Sequence, residues 1–243
     1  MPPPAHVIRP PPESRPKNRL LACLPPDDFR RLRRHLTTRP TTVKQVFQAY
    51  DQPVREVFFP NGGVASVTAV MKNGSMVEIA TVGDEGLLGI NALFGDDMVR
   101  SETMMQVPDT DMEVLPVAIF KREIERRGPF HACIQRYAQG FFSLTMQSTA
   151  CMALHPVVER CCRWLLMTHD RMRRDDFHLS HEFLAMMLGS TRPTLTEVAG
   201  TLQKAGFIKY VHGHITILDR AGLEAASCEC YRTVKDHFDR LGL

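Results

Sequence analysis

The residues best placed for chemistry surround Leu188-Gly189-Ser190-Thr191-Arg192-Pro193-Thr194. Thr191 is suited to cap a helix, and Pro193 falls in that helix's first turn, where a missing N–H has no intrahelical partner to lose. Leu195, Val198, Ala199 and Leu202 recur at helical spacing and should face a core, leaving Arg192, Thr196, Glu197 and Gly200 outward. Upstream, Ser180 can cap a helix through Phe183, Leu184 and Met187, with Gly189 ending it in the left-handed conformation. Two short helices joined at a glycine, the second polar on its outer first turns, are the geometry that seats a helix in the major groove of double-stranded DNA. Ser180, Thr191, Arg192, Pro193, Thr194, Thr196 and Glu197 are therefore candidate DNA contacts. Arg192 has the planar fork to take a guanine bidentately, whereas Thr191 and Thr194 suit phosphate oxygens.

Two strand-like runs follow, Gly206 to Val211 and His214 to Leu218, around His212-Gly213. They predict a hairpin or wing whose Lys209, His212 and His214 can meet phosphates. Other reactive side chains fall into no pattern that supports catalysis. None of the seven cysteines lies in a nucleophile motif, whether paired with His155, His169 or any other base, and no phosphate loop or paired-carboxylate site is present. The chain is not expected to be an enzyme. Cys161-Cys162 are adjacent and Cys228-x-Cys230 is spaced wrongly for a zinc knuckle, so no metal-ligand set is expected.

These residues need a frame, and 243 residues give room for two domains with a core each. A hydrophobic content of 44%, 23% charged residues and a formal net charge of +3 are ordinary for a globular protein and prove no nucleic-acid affinity. No apolar run is long enough to span a bilayer, and the proline-rich start lacks the apolar core of a secretory signal, so a cytoplasmic location and no membrane partner are expected. Residues 1–18, rich in proline and charge, predict a disordered tail. Two short helices about Pro25-Pro26 follow, the second ending near Leu36. From about Thr41 to Ala118, short apolar runs alternate with turns such as Pro60-Asn61-Gly62-Gly63 and Lys72-Asn73-Gly74, which implies an antiparallel roll or barrel.

A long helix is expected over 130–155. Ile134, Tyr137, Phe141, Leu144, Ser148 and Cys151 alternate spacings of three and four, the seam of a two-stranded coiled coil, so this stripe is the expected homodimer interface. The same stripe could pack on the strand domain of its own chain, as could the flank of Ala138, Phe142 and Met146. Pro156 ends this helix, and a last helix capped by Asp219 should carry Leu223, Ala226, Cys230, Val234 and Phe238 along one face.

The order of strand roll, long helix and winged helix-turn-helix, with the wording of residues 57–95 and 178–231, resembles the Crp/Fnr family of transcription regulators. The resemblance covers nearly the whole chain beyond the tail and is most specific from Leu188 to Ile208. It implies an α+β chain of four parts: a tail at 1–18, a cyclic-nucleotide-binding-like antiparallel β-roll sensor at 19–129, a dimerisation helix at 130–155 and a winged helix-turn-helix at 156–243. It also implies a homodimer acting on promoter or operator DNA, with RNA polymerase as the further partner such a regulator would meet. Pro193 stands where the family commonly has glutamate and Glu197 where many relatives carry a basic residue, so the operator should differ from the familiar one. In relatives that bind cyclic nucleotides, a Gly-Glu-Leu turn holds the ribose and an Arg-Ser pair the phosphate. Here Gly89-Ile90-Asn91 and Arg100-Ser101 take those places, and Ile90 cannot accept a ribose hydroxyl bond, so the effector is unknown and a cyclic nucleotide is not favoured. The oxygen-sensing branch holds an iron–sulfur cluster through an N-terminal cysteine run, and with Cys23 the lone cysteine before Cys133 no such cluster is expected. The alternative is a protein that binds a cyclic nucleotide or another anionic small molecule, with its DNA binding lost or secondary.

Overall fold

A computed structural model describes residues 16–95 and 98–243. Most of the expected tail lies outside the described residues. Its last residue does not behave as tail: Asn18 is fully buried, caps the first helix through Leu21 N–H, and donates its side-chain amide to the carbonyls of Pro60 and Gly86 at 2.8 and 2.9 Å.

The first part of the chain runs through α1 (Arg19–Ala22), α2 (Pro26–Arg33), β1 (Thr37–Pro40), β2 (Val46–Gln48), β3 (Glu56–Pro60), β4 (Val64–Val70), β5 (Met76–Val82), a 3-10 turn at Ile90–Leu93, β6 (Glu102–Val107) and β7 (Asp111–Pro116). One sheet has the order β1-β7-β3, with β7 antiparallel to both neighbours (Thr37 opposite Val114, Val57 opposite Leu115). The other has the order β2-β6-β4-β5. The long strands β3 to β7 coincide with the apolar runs of the sequence. β1 and β2 do not, because Thr37-Thr38-Arg39-Pro40 is polar and β2 is only three residues long.

After α3 (Val117–Glu125) come α4 (Pro129–Leu154), α5 (Val157–Met172), β8 (Asp176–His178), α6 (His181–Met187), α7 (Arg192–Lys204), β9 (Ile208–Val211), β10 (His214–Ile217), α8 (Arg220–Ala226) and α9 (Cys230–Leu241). The last pair corrects the expectation of a single terminal helix. Ser227 takes an extended conformation and its hydroxyl donates to the carbonyl of Glu224, so the chain breaks before restarting at Cys230. Among the described residues no helix is long and apolar enough to cross a membrane.

By its contacts the chain divides into two compact units, one of residues up to Ala65 with Val82–Gly140 and Leu243, the other of Ser66–Thr81 with Phe141–Gly242. In the first, Tyr137 donates its hydroxyl to the carbonyl of Leu87 at 3.1 Å and lies so close to Gly86 that an added Cβ would come within 2.6 Å of the ring. In the second, Trp164 Nε1 donates to Glu78 at 2.9 Å, and Ser66 donates to the same carboxyl group. Arg220 at the start of α8 reaches Asp170 of α5 at 2.7 Å and Tyr231 of α9 at 2.6 Å, which fastens three helices at one point.

The α4 stripe expected to form a dimer seam is turned inward. Ile134, Tyr137, Leu144, Ser148 and Cys151 are buried within their own chain and Phe141 is half-buried. The neighbouring flank carries the exposure instead, with Phe142 63% and Met146 52% exposed. Both stripes are apolar at the same period, and the wider, more continuous one covers the core.

Candidate nucleic-acid interface

The helix pair forms as its capping residues require. Ser180 accepts a hydrogen bond from Phe183 N–H at 3.3 Å and starts α6. Gly189 follows with φ +56°, a conformation that favours glycine. Thr191 starts α7 by accepting from Thr194 N–H at 3.3 Å, its hydroxyl 2.9 Å from that of Thr194. Pro193 occupies the first turn. Leu195, Ala199 and Leu202 are buried, whereas Thr191, Arg192, Pro193, Thr196 and Glu197 are exposed and Thr194 is half-buried. The first turns of α7 thus present an arginine fork, a proline edge and hydroxyls to solvent.

The wing contains one strand more than expected. β9 and β10 pair through the two-residue turn His212-Gly213, with Val211 opposite His214. Both turn residues have positive φ, +48° and +81°, as a two-residue hairpin turn of primed type demands. β8 adds to the other edge of β10, with His178 opposite His214. Lys209 and His212 are exposed on this hairpin.

Two residues that the sequence did not single out join α7 to the wing. His181 stacks on Tyr210 with ring centroids 4.1 Å apart, and its Nδ1 lies 3.2 Å from the Thr196 hydroxyl. Tyr210 in turn donates its hydroxyl to the carbonyl of Leu179 at 2.9 Å. Burial, with repulsion from Arg192, pushes the His181 imidazolium below the ordinary histidine range and keeps the ring neutral against the arginine. Helix-terminus rules point at Ser180 and stop there. Only the folded wing shows that the next residue has an aromatic partner.

The positions expected to meet an effector belong to the first unit. Arg100 is 68% exposed and paired with Asp51 at 2.7 Å. Ile90 is buried, Gly89 has φ +95°, and Asn91 and Ser101 are half-buried. The arginine that the resemblance assigns to a cyclic phosphate is paired with a carboxylate at the surface, and both side chains face solvent.

Residues 159–226 match the model of the Crp-like helix-turn-helix domain. The transcriptional regulator SdrP of Thermus thermophilus is 25% identical over 171 residues, 67% of this chain and 79% of that protein. Among solved structures, FixK2 of Bradyrhizobium japonicum superposes with a TM-score of 0.67 at 14% identity, over 79% of this chain and 98% of that one. A transcriptional regulator of the CRP family from Thermus thermophilus gives 0.65 at 18% identity, over 78% and 96% of the two chains. At these identities the structural likeness speaks for the fold, and the domain match speaks for the helix pair.

Proposed function

We propose that the chain is a Crp/Fnr-type transcription regulator that works as a homodimer, laying α7 of each copy into the major groove of an operator; the Crp-like helix-turn-helix match and the likeness to a curated transcriptional regulator support this reading. The observation that carries this reading is the exposed first turn of α7, with Arg192 and Thr196 held outward by a Thr191 cap inside the matched domain. Arg192 reads a base edge, Thr191 and Thr194 hold phosphate where the helix N-terminus already favours an anion, and Lys209 and His212 of the wing take the backbone alongside. Glu197, exposed one turn on, accepts from a cytosine amino group, which gives the operator a base preference of its own. Phe142 and Met146, exposed four residues apart on α4, form the face that meets the second copy.

Regulation in this reading does not run through a cyclic nucleotide, since Ile90 stands where a ribose acceptor would be needed and cannot accept a hydroxyl hydrogen bond. The test is a titration of the full-length protein against fluorescent promoter fragments from its own genome. Arg192→Ala should lose about 1–3 kcal/mol of preference for the selected fragment over scrambled DNA. Wild-type preference in that variant would sink the assignment of the reading helix. Cyclic AMP added to the same titration should leave the wild-type isotherm in place, and a leftward shift would overturn the effector reading.

A further inference from the structure

The second unit gathers four soft ligands that stand far apart in the sequence. Cys151 and His155 lie one turn apart at the end of α4, where His155 N–H still donates to the Cys151 carbonyl at 3.1 Å. Cys228 and Cys230 lie at the break between α8 and α9, 77 residues beyond Cys151 in the case of Cys228. One ligand atom from each of the four falls within 4.8 Å of every other. Cys151 Sγ is 3.5 Å from Cys228 Sγ, and His155 Nδ1 is 3.6 Å from Cys230 Sγ. Bonds of about 2.3 Å to sulfur and about 2.0–2.1 Å to nitrogen require tetrahedral edges of about 3.8 Å between sulfurs and about 3.5 Å from sulfur to nitrogen. Two of the six edges already lie close to these lengths, and the others, all within 4.8 Å, need only a small inward movement of side chains to reach them.

The surroundings are those that metal ligands use. The other ring nitrogen of His155, Nε2, faces the Glu229 carboxylate at 3.2 Å, the carboxylate–histidine pairing that fixes ring orientation and leaves Nδ1 as the ligand atom. Gln147 Nε2 donates to Cys230 Sγ at 3.0 Å, a bond that favours a thiolate. Arg160, buried, and Arg163, which donates to Ser148 at 3.0 Å, lie close enough to act electrostatically on Cys151 and offset the excess negative charge of three thiolates. The cysteines are buried, while Glu229 and the edge of His155 reach solvent and leave a way in. The network of Arg220, Asp170 and Tyr231 already holds the residue after Cys230 in place.

We propose that Cys151, His155, Cys228 and Cys230 form a structural zinc site that ties the start of α9 to the end of α4. Three thiolates and an imidazole around a closed tetrahedron select Zn2+ over oxygen-seeking cations and leave no open position for catalysis. The expectation of no metal site rested on the short Cys228-x-Cys230 spacing, and the break after α8 is what brings that pair to α4.

The test uses the full-length chain purified under reducing conditions from zinc-supplemented cells. Elemental analysis should find one zinc per chain, and Co2+ added to the chelator-stripped protein should give the intense visible absorption of a tetrahedral thiolate site. Cys228→Ser should abolish that absorption. Glu229→Gln, which leaves all four ligands and the fold intact, should weaken Co2+ binding by about 10- to 100-fold. Cys23→Ser, at an exposed cysteine of the other unit, should change nothing. Reduced, folded protein that takes up neither metal would overturn the proposal. So would zinc retained by the Cys151→Ser/Cys228→Ser double variant, or a native protein whose mass shows those two sulfurs joined in a disulfide and no metal.

Discussion

Glu78 accepts hydrogen bonds from Trp164 and Ser66, and desolvation pushes its carboxyl up from 4.5 to about 7 against the pull of Arg163 and Arg171. Between those values the native chain keeps a proton that the unfolded chain has released. Stability therefore falls as pH rises from about 4.5 through about 7 and returns on acidification within that window. The full effect is on the order of 3 kcal/mol, since each tenfold change in the proton affinity corresponds to about 1.4 kcal/mol. Glu78→Gln should flatten this stretch and raise stability at pH 8, as urea midpoints measured across pH would show; an unchanged slope would refute the assignment. This residue could not be singled out from sequence, because its neighbours come from a strand, the facing strand and a distant helix. Gly189 and Thr191 could, since a left-handed turn and a helix cap are local demands that residue type answers directly.

At the level of elements, the sequence carries the period of a helix more clearly than its facing. α4 was legible almost to the residue, because its apolar positions repeat and Pro156 closes it. Which of two neighbouring apolar stripes is buried depends on what packs there, and Gly86 beside Tyr137 and the cysteines beside Cys151 settle it only in three dimensions. If the proposed dimer forms through the exposed Phe142, sedimentation equilibrium should find the wild type dimeric and Phe142→Glu monomeric, with the circular dichroism unchanged. A dimer of unchanged strength would remove this face from the interface. The strands missed, β1, β2 and β8, are three or four residues long, too short for alternation to register. The break between α8 and α9 was hidden because Leu223, Ala226, Cys230, Val234 and Phe238 keep helical spacing straight across it.

For the whole molecule, a net charge of +3 says little about DNA, whereas the placement of charge on the wing and α7 says more. If Lys209 meets a phosphate, Lys209→Ala should weaken binding evenly across sequences and reduce the slope of log affinity against log salt by about 1 per site. A slope equal to that of the wild type would place Lys209 off the backbone. The three-stranded wing also bears on how the molecule assembles. β9 and β10 meet through two residues whose conformation is preset, and such a hairpin closes within about 1–10 μs. β8 reaches β10 only after the chain has travelled through α6 and α7, a contact of much longer range whose loop entropy must be met first. The third strand closes a far longer loop than the hairpin does, so the β8 edge should pair after β9 and β10 have met, and amide exchange at Phe177 should then be faster than at Ile215.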